Sequence, residues 1–184
     1  MILLKQMLQS IVRCVRGEIS TKKLIKMGLT VGENFNRQGN CIIDPSHCWL
    51  IEIGNNVTLA NGVYILAHDA STKNLIDYAK IGKVKIGNNV FIGARSIILP
   101  NINIGDNVII GSGSVVTKDI PSNVVVAGNP AKIISSIADY KNKMFKKTKS
   151  DNVFEDDYTL RKNISKKKKE EMKEKLNKSI GFVR

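Results

Sequence analysis

Two histidines serve 184 residues, and they sit in unlike surroundings. His68 stands in ILAHDA, just ahead of the ten-residue run STKNLIDYAK at positions 71–80. An unperturbed imidazole titrates near pH 6.5, so at neutral pH it can remove the proton of a hydroxyl as that oxygen attacks. Such a general base contributes about 10²- to 10⁴-fold to a rate. Asp69 follows directly, and because neighbours on a strand face opposite ways, its carboxylate is expected to hold a loop or a substrate rather than the imidazole. His47, in PSHCW beside Cys48 and Trp49, reads as a structural residue of an irregular turn. Cys14, Cys41 and Cys48 are odd in number and form no C-x-x-C pair, which argues against a disulfide framework and a zinc cluster and suits a reducing cytoplasm.

A base acts only if something holds it in place, and the surrounding sequence is a repeat. Units open at Ile53 (IGNNVT), Leu59 (LANGVY), Ile65 (ILAHDA), Ile86 (IGNNVF), Ile92 (IGARSI), Ile98 (ILPNIN), Ile104 (IGDNVI), Ile110 (IGSGSV) and Val116 (VTKDIP). The period is six, broken once between Ala70 and Ile86, and neither an amphipathic helix nor a simple strand repeats at six. The pattern predicts a chain that turns a corner every six residues, three short strands making a triangular coil of about 18 residues. The leading aliphatic points inward, and Gly or Asn takes the positive φ of the corners. VGENFN at Val31 and IDPSHC at Ile43 read as imperfect turns of one earlier coil. IGSGSV is no dinucleotide fingerprint, because it lies inside the repeat and opens no helix.

These hexapeptides, with the closing run GSGSVVTKDIPSNVVVAGNPAKI, resemble the hexapeptide-repeat acyltransferases over residues 31–132, and polysaccharide and sugar O-acetyltransferases in particular. The resemblance implies an all-β core wound as a left-handed parallel β-helix, an exception to the usual crossover hand. It further implies acetyl-coenzyme A as donor, a carbohydrate as acceptor, and a homotrimer with active sites at subunit interfaces. A loop extruded from a coil walls the site in that family, and a histidine placed like His68 is the base. Asp69 and Phe91 are then the candidate acceptor contacts, although Phe91 stands where many sugar O-acetyltransferases carry Trp. An 18-residue coil stacks Ala94 beneath Ser112, and Pro130 above them if the phase holds; the family runs the pantetheine arm along such a corner. Lys118 and Lys132 fall where the family puts the coenzyme phosphates, and Lys suits phosphate as a point charge. No metal is expected, since the zinc-dependent γ-carbonic anhydrases of the same fold need three histidines. An amino sugar nucleotide N-acetyltransferase and a catalytically silent scaffold subunit are the alternatives.

The net charge of +13 is uneven. Residues 141–184 carry 15 basic and 7 acidic side chains, leaving 14 against 9 elsewhere, which is no nucleic-acid signature. Three segments follow: a helical cap at 1–30, the β-helix at 31–134, and a basic, helical extension at 135–184. Leu4, Met7, Leu8, Ile11 and Val15 give residues 2–17 an amphipathic helical stripe that suits capping the first coil or peripheral contact with a membrane surface. Lys5 and Gln6 interrupt the apolar start and no cleavage site follows, so no signal peptide is expected. The tail's Lys167, Glu171 and Lys175 are spaced for a solvated helix.

Overall fold

A computed structural model of the chain describes residues 18–148, 152–177 and 179–184. The stripe at 2–17 lies outside them. Two compact units are present, residues 1–137 and 138–184.

The first unit opens with a short helix, α1 (Thr21–Lys26), capped by the Ser20 hydroxyl, which accepts from the Lys23 N–H at 3.2 Å. Its Leu24 is fully buried in the core. Coil one follows as β1 (Thr30–Val31), β2 (Asn36–Arg37) and β3 (Ile42–Ile43); coil two as β4 (Ile51–Ile53), β5 (Thr58–Leu59) and β6 (Tyr64–Ile65). An arm then leaves the coil as β7 (His68–Asp69), a helical tip containing α2 (Lys73–Ile76), and β8 (Lys80–Ile81). Coil three is β9 (Val84–Ile86), β10 (Phe91–Ile92) and β11 (Ile97–Ile98), and coil four is β12 (Ile102–Ile104), β13 (Ile109–Ile110) and β14 (Val115–Val116). A closing pair, β15 (Val124–Ala127) and β16 (Lys132–Ser136), runs antiparallel.

Each strand pairs in parallel with the strand of the same face one coil away, giving faces β1-β4-β9-β12, β2-β5-β10-β13-β15-β16 and β3-β6-β11-β14. All nine leading aliphatics of the repeat are buried, and so are the residues two places ahead, among them Val57, Val63, Val84, Val90, Ile102 and Val108. Ser96 and Ser114 take that second place on the third face, and both hydroxyls donate to the Gly111 carbonyl, at 2.9 and 2.6 Å. The pairing relieves a narrow core of two unsatisfied polar groups. Leu59 is fully buried at the centre of its face. Leu59→Ala is expected to cost about 2–5 kcal/mol, read as a lower urea midpoint at unchanged slope.

One corner carries an asparagine ladder. Asn34 donates to Asn56 (2.9 Å), Asn56 to Asn89 (3.1 Å), Asn89 to Asn107 (3.2 Å) and Asn107 to Asn123 (3.0 Å). All five hold φ between 54° and 64°, where Asn is tolerated. Their separations of 22, 33, 18 and 16 residues measure the coils. Coil one is a complete turn with a few extra residues, coil two carries the arm, and the last step is short.

The second unit completes α3 (Ile137–Lys147) and adds β17 (Val153–Phe154), α4 (Lys166–Lys175) and β18 (Phe182–Val183), with β17 and β18 parallel. Phe154 is buried against Tyr158, whose hydroxyl donates to Glu171 at 2.8 Å. The Glu171–Lys175 pair forms at 3.0 Å. Helix α4 ends at Lys175, so the tail's charged stretch is a helix followed by a strand.

Candidate active site

Asp44 and His68 occupy the same corner, between the third and first faces, in successive coils. Asp44 follows β3 and His68 follows β6, and at this corner both coils bulge: coil one as residues 44–50, coil two as the arm. His68 is the root of the arm, paired with Ile81 across the β7–β8 hairpin, so the excursion is wider than the ten residues that the broken repeat suggests.

The Asp44 side chain is fully buried. Its Oδ1 accepts from the Ser46 N–H at 3.0 Å, and its Oδ2 from the Ala67 N–H at 3.0 Å. Oδ2 also lies 2.5 Å from His68 Nδ1. Burial pushes this carboxyl up, yet the hydrogen bonds from His68, Ala67 and Ser46 outweigh burial and hold it below its ordinary value. An ionised carboxylate only accepts. In a neutral imidazole this contact puts the proton on Nδ1 and leaves the Nε2 lone pair free. With 37% of its side chain exposed, the imidazole is fixed from beneath and open above.

Asp69 is turned to the arm. Its Oδ1 accepts from the Ser71 N–H at 2.8 Å and its Oδ2 pairs with Lys80 Nζ at 2.5 Å. The Lys80 ammonium first, then Ser71, bring its carboxyl down to about 2. This tether is present above the unfolded value near pH 4 and is lost only as the pH falls through about 2. Hydrogen exchange in the arm is expected to stay protected from neutral pH to about pH 4, and Lys80→Met should speed proteolysis of residues 70–79 modestly over that range.

His47 lies between two other rings. Its ring centroid lies 5.3 Å from that of His68 on one side and 5.3 Å from that of Trp49 on the other. Its Nδ1 is buried without a hydrogen-bond partner. Asp44, His47 and His68 offer atoms all within 4.8 Å of one another, a set that a divalent cation could use. The two histidines thus meet after all, with a carboxylate between coils as the third member. Cys41 and Cys48 are buried, and burial pushes the Cys41 thiol up, away from nucleophile chemistry.

The remaining sequence candidates separate onto different edges. Ala94 and Ser112 stack at the corner between the second and third faces, where the Gly113 N–H donates to the Ala94 carbonyl at 2.8 Å. Lys132 opens β16 opposite Ala127, near that corner. Pro130 does not continue the stack: the closing step is 16 residues, which brings Gly128 over Ser112 and leaves Pro130 beyond it. Lys118 is exposed at the His68 edge, two coils along. Phe91 lies half exposed on the second face, between Thr58 and Ile109. Sequence reasoning missed Asp44 and Trp49. The detectable signal was the spacing from Ile43 to Ile53, too long for the repeat at the corner where the arm departs one coil later.

Residues 83–118 match the family described as bacterial transferase hexapeptide (six repeats), and residues 39–67 the hexapeptide repeat of succinyl-transferase. Protein CapG of Staphylococcus aureus is 41% identical over 164 residues, 85% of this chain and 89% of that protein. A maltose O-acetyltransferase from Clostridium difficile 630 is 47% identical with a TM-score of 0.53, covering 59% of each chain. A galactoside acetyltransferase solved in complex with coenzyme A is 37% identical with a TM-score of 0.56, covering 62% of this chain and 58% of that one. The parallel faces and these neighbours fit a left-handed parallel β-helix. With the repeat and a near full-length relative in agreement, the chain belongs to the hexapeptide-repeat transferases.

Proposed function

We propose that the protein moves an acetyl group from acetyl-coenzyme A to a carbohydrate hydroxyl, on a surface polysaccharide or its precursor, with His68 as general base. The Asp44–His68 pair carries this reading. A buried, acceptor-only carboxylate fixes the tautomer, so Nε2 is the atom that receives a proton. The acceptor oxygen attacks the thioester carbonyl carbon as Nε2 takes its hydrogen, and a C–O bond forms. The tetrahedral intermediate collapses by breaking the C–S bond, and the sulfur leaves with the proton from the imidazolium as free coenzyme thiol. Asp44 stabilises that imidazolium while it lasts.

Carbohydrate is favoured because two solved neighbours are a maltose and a galactoside acetyltransferase. The coenzyme reading uses two edges of the prism: Lys118 shares the edge of His68, whereas Ala94, Ser112 and Lys132 belong to another. A coenzyme lying between two copies of the chain would meet one edge from each, which supports a homotrimer with interfacial sites. Phe91 would then face the acceptor from a neighbouring copy. The reaction belongs in the cytoplasm, where acetyl-coenzyme A is found. Among the described residues, no helix is long and apolar enough to cross a membrane.

Thiol release from acetyl-coenzyme A across hydroxyl sugars and amino sugar nucleotides tests the reading. Turnover only with amino sugars would replace O-transfer by N-transfer, and no turnover with any acceptor would leave a scaffold. Nothing in the proton transfer calls on a metal, so a chelator is expected to leave turnover unchanged. Zinc should inhibit by occupying the nitrogens of His47 and His68. Loss of activity on chelation would overturn that view of the site.

A further inference from the structure

Trp49 is an anomaly of the fold. It is the chain's one tryptophan, it lies on the coil-one bulge, and 55% of it is exposed. Yet its base is firmly seated. Gly28, at φ +108° after α1, leaves room that a side chain would fill: a Cβ there would sit 2.8 Å from the Trp49 Cβ. The preceding Cys48 is fully buried, with its Sγ 3.5 Å from the Met27 carbonyl. Single exposed apolar side chains are ordinary, and what sets this one apart is its place in a row of rings that ends at His68. His47 joins it to the base by two successive ring contacts of 5.3 Å. The Nδ1 of His47 is buried without a protein hydrogen-bond partner, a cost that an apolar residue in its place would avoid.

We propose that the Trp49 indole is the acceptor platform, on which a pyranose ring lays its apolar face while one of its hydroxyls reaches His68 Nε2. The inference rests on the acetyl-transfer reading and names how its acceptor is held. A pyranose presents axial C–H groups on one face and hydroxyls around its rim. An aromatic face takes the former while leaving the latter free for hydrogen bonds. Two successive ring contacts of 5.3 Å join Trp49 to His68 through His47, so a ring stacked on the indole would extend its rim toward the imidazole. Because the platform and the base descend from stacked bulges of coils one and two, the distance between them is set by the coil spacing and not by a flexible loop.

Since Trp49 is the sole indole, its emission reports this place directly. The full chain carrying His68→Ala is titrated with maltose, a methyl galactoside, UMP and coenzyme A, so that binding is read without turnover. A saturable spectral shift with a saccharide, absent with UMP and coenzyme A, is the expected result. In the protein with His68 intact, Trp49→Ala should raise the acceptor KM about tenfold, the scale of one lost ring-stacking contact, with the KM for acetyl-coenzyme A within twofold. Trp49→Phe, which keeps a stacking face and guards against misfolding, should recover most of the loss. An unchanged acceptor KM in Trp49→Ala overturns the proposal. So does a shift given by UMP or coenzyme A alone, or a change in oligomer size, which would make Trp49 an interface residue. If the unaltered protein acetylates no saccharide, the acetyl-transfer reading fails; the emission titration still decides whether a sugar seats on Trp49.

Discussion

His68→Ala is expected to lower kcat for acetyl transfer by about 10²- to 10⁴-fold, the usual contribution of a positioned general base. The loss should fall on kcat, with the KM for acetyl-coenzyme A little changed, because the imidazole carries a proton from the acceptor to the departing sulfur and is not called on to bind the coenzyme. Folding should survive: the side chain is more than a third exposed, and Asp44 keeps the amides of Ala67 and Ser46 as donors. Thiol release at saturating acetyl-coenzyme A measures the first, and the far-ultraviolet circular dichroism melt the second. Full activity in a folded His68→Ala protein sinks the mechanism.

Asp44→Asn should be nearly as damaging although it preserves shape. The amide offers one acceptor oxygen where the carboxylate offers two, so either Ser46 or Ala67 loses its partner, at a cost of about 1–3 kcal/mol. The NH₂ end can then donate to His68 Nδ1, which drives the ring proton to Nε2 and removes the lone pair that accepts the substrate proton. The imidazolium also loses its counter-charge. A fall of about 10²- to 10⁴-fold in kcat is expected, comparable with what a tautomer reversal costs a serine protease triad. The acetyl-coenzyme A KM serves as the internal control. A variant that keeps more than a tenth of the activity would show that Asp44 is structural support only.

The prism was legible in the sequence because its cause is local: a leading aliphatic must enter a core too narrow for anything else, and Asn must round the corner. The phase of Ile53, Leu59 and Ile65 alone gives the orientation of every residue between them. The departure of the arm at His68 was legible for a related reason, since a break in a strict repeat marks where the chain leaves the scaffold. Asp44 was hidden because its importance is non-local. Its separation of 24 residues from His68 matches no whole coil length, as the bulge at 44–50 adds residues that no period forecasts. The same bulge hid the row of rings that runs from Trp49 through His47 to His68. Pro130 went astray because the closing step drops to 16 residues: Ile98 still pairs with Val116, 18 along, but Ile104 already bridges Ile120, so the corner after β14 is two residues short.

The asparagine ladder has a consequence for how such a protein can change. Each rung touches only the rungs beside it, all donating in one direction, so the stack resembles a one-dimensional polymer more than a globule with a centre. The residues of the Asp44–His68 corner belong wholly to the first two rungs. A further whole coil inserted between the third and fourth would lengthen the prism, lend one more Asn to the series and leave the spacing at that corner untouched. The Asp44–His68 corner is thus insulated from the length of the prism, whereas Lys118, two coils along the same edge, would move one coil farther from His68 with each such insertion.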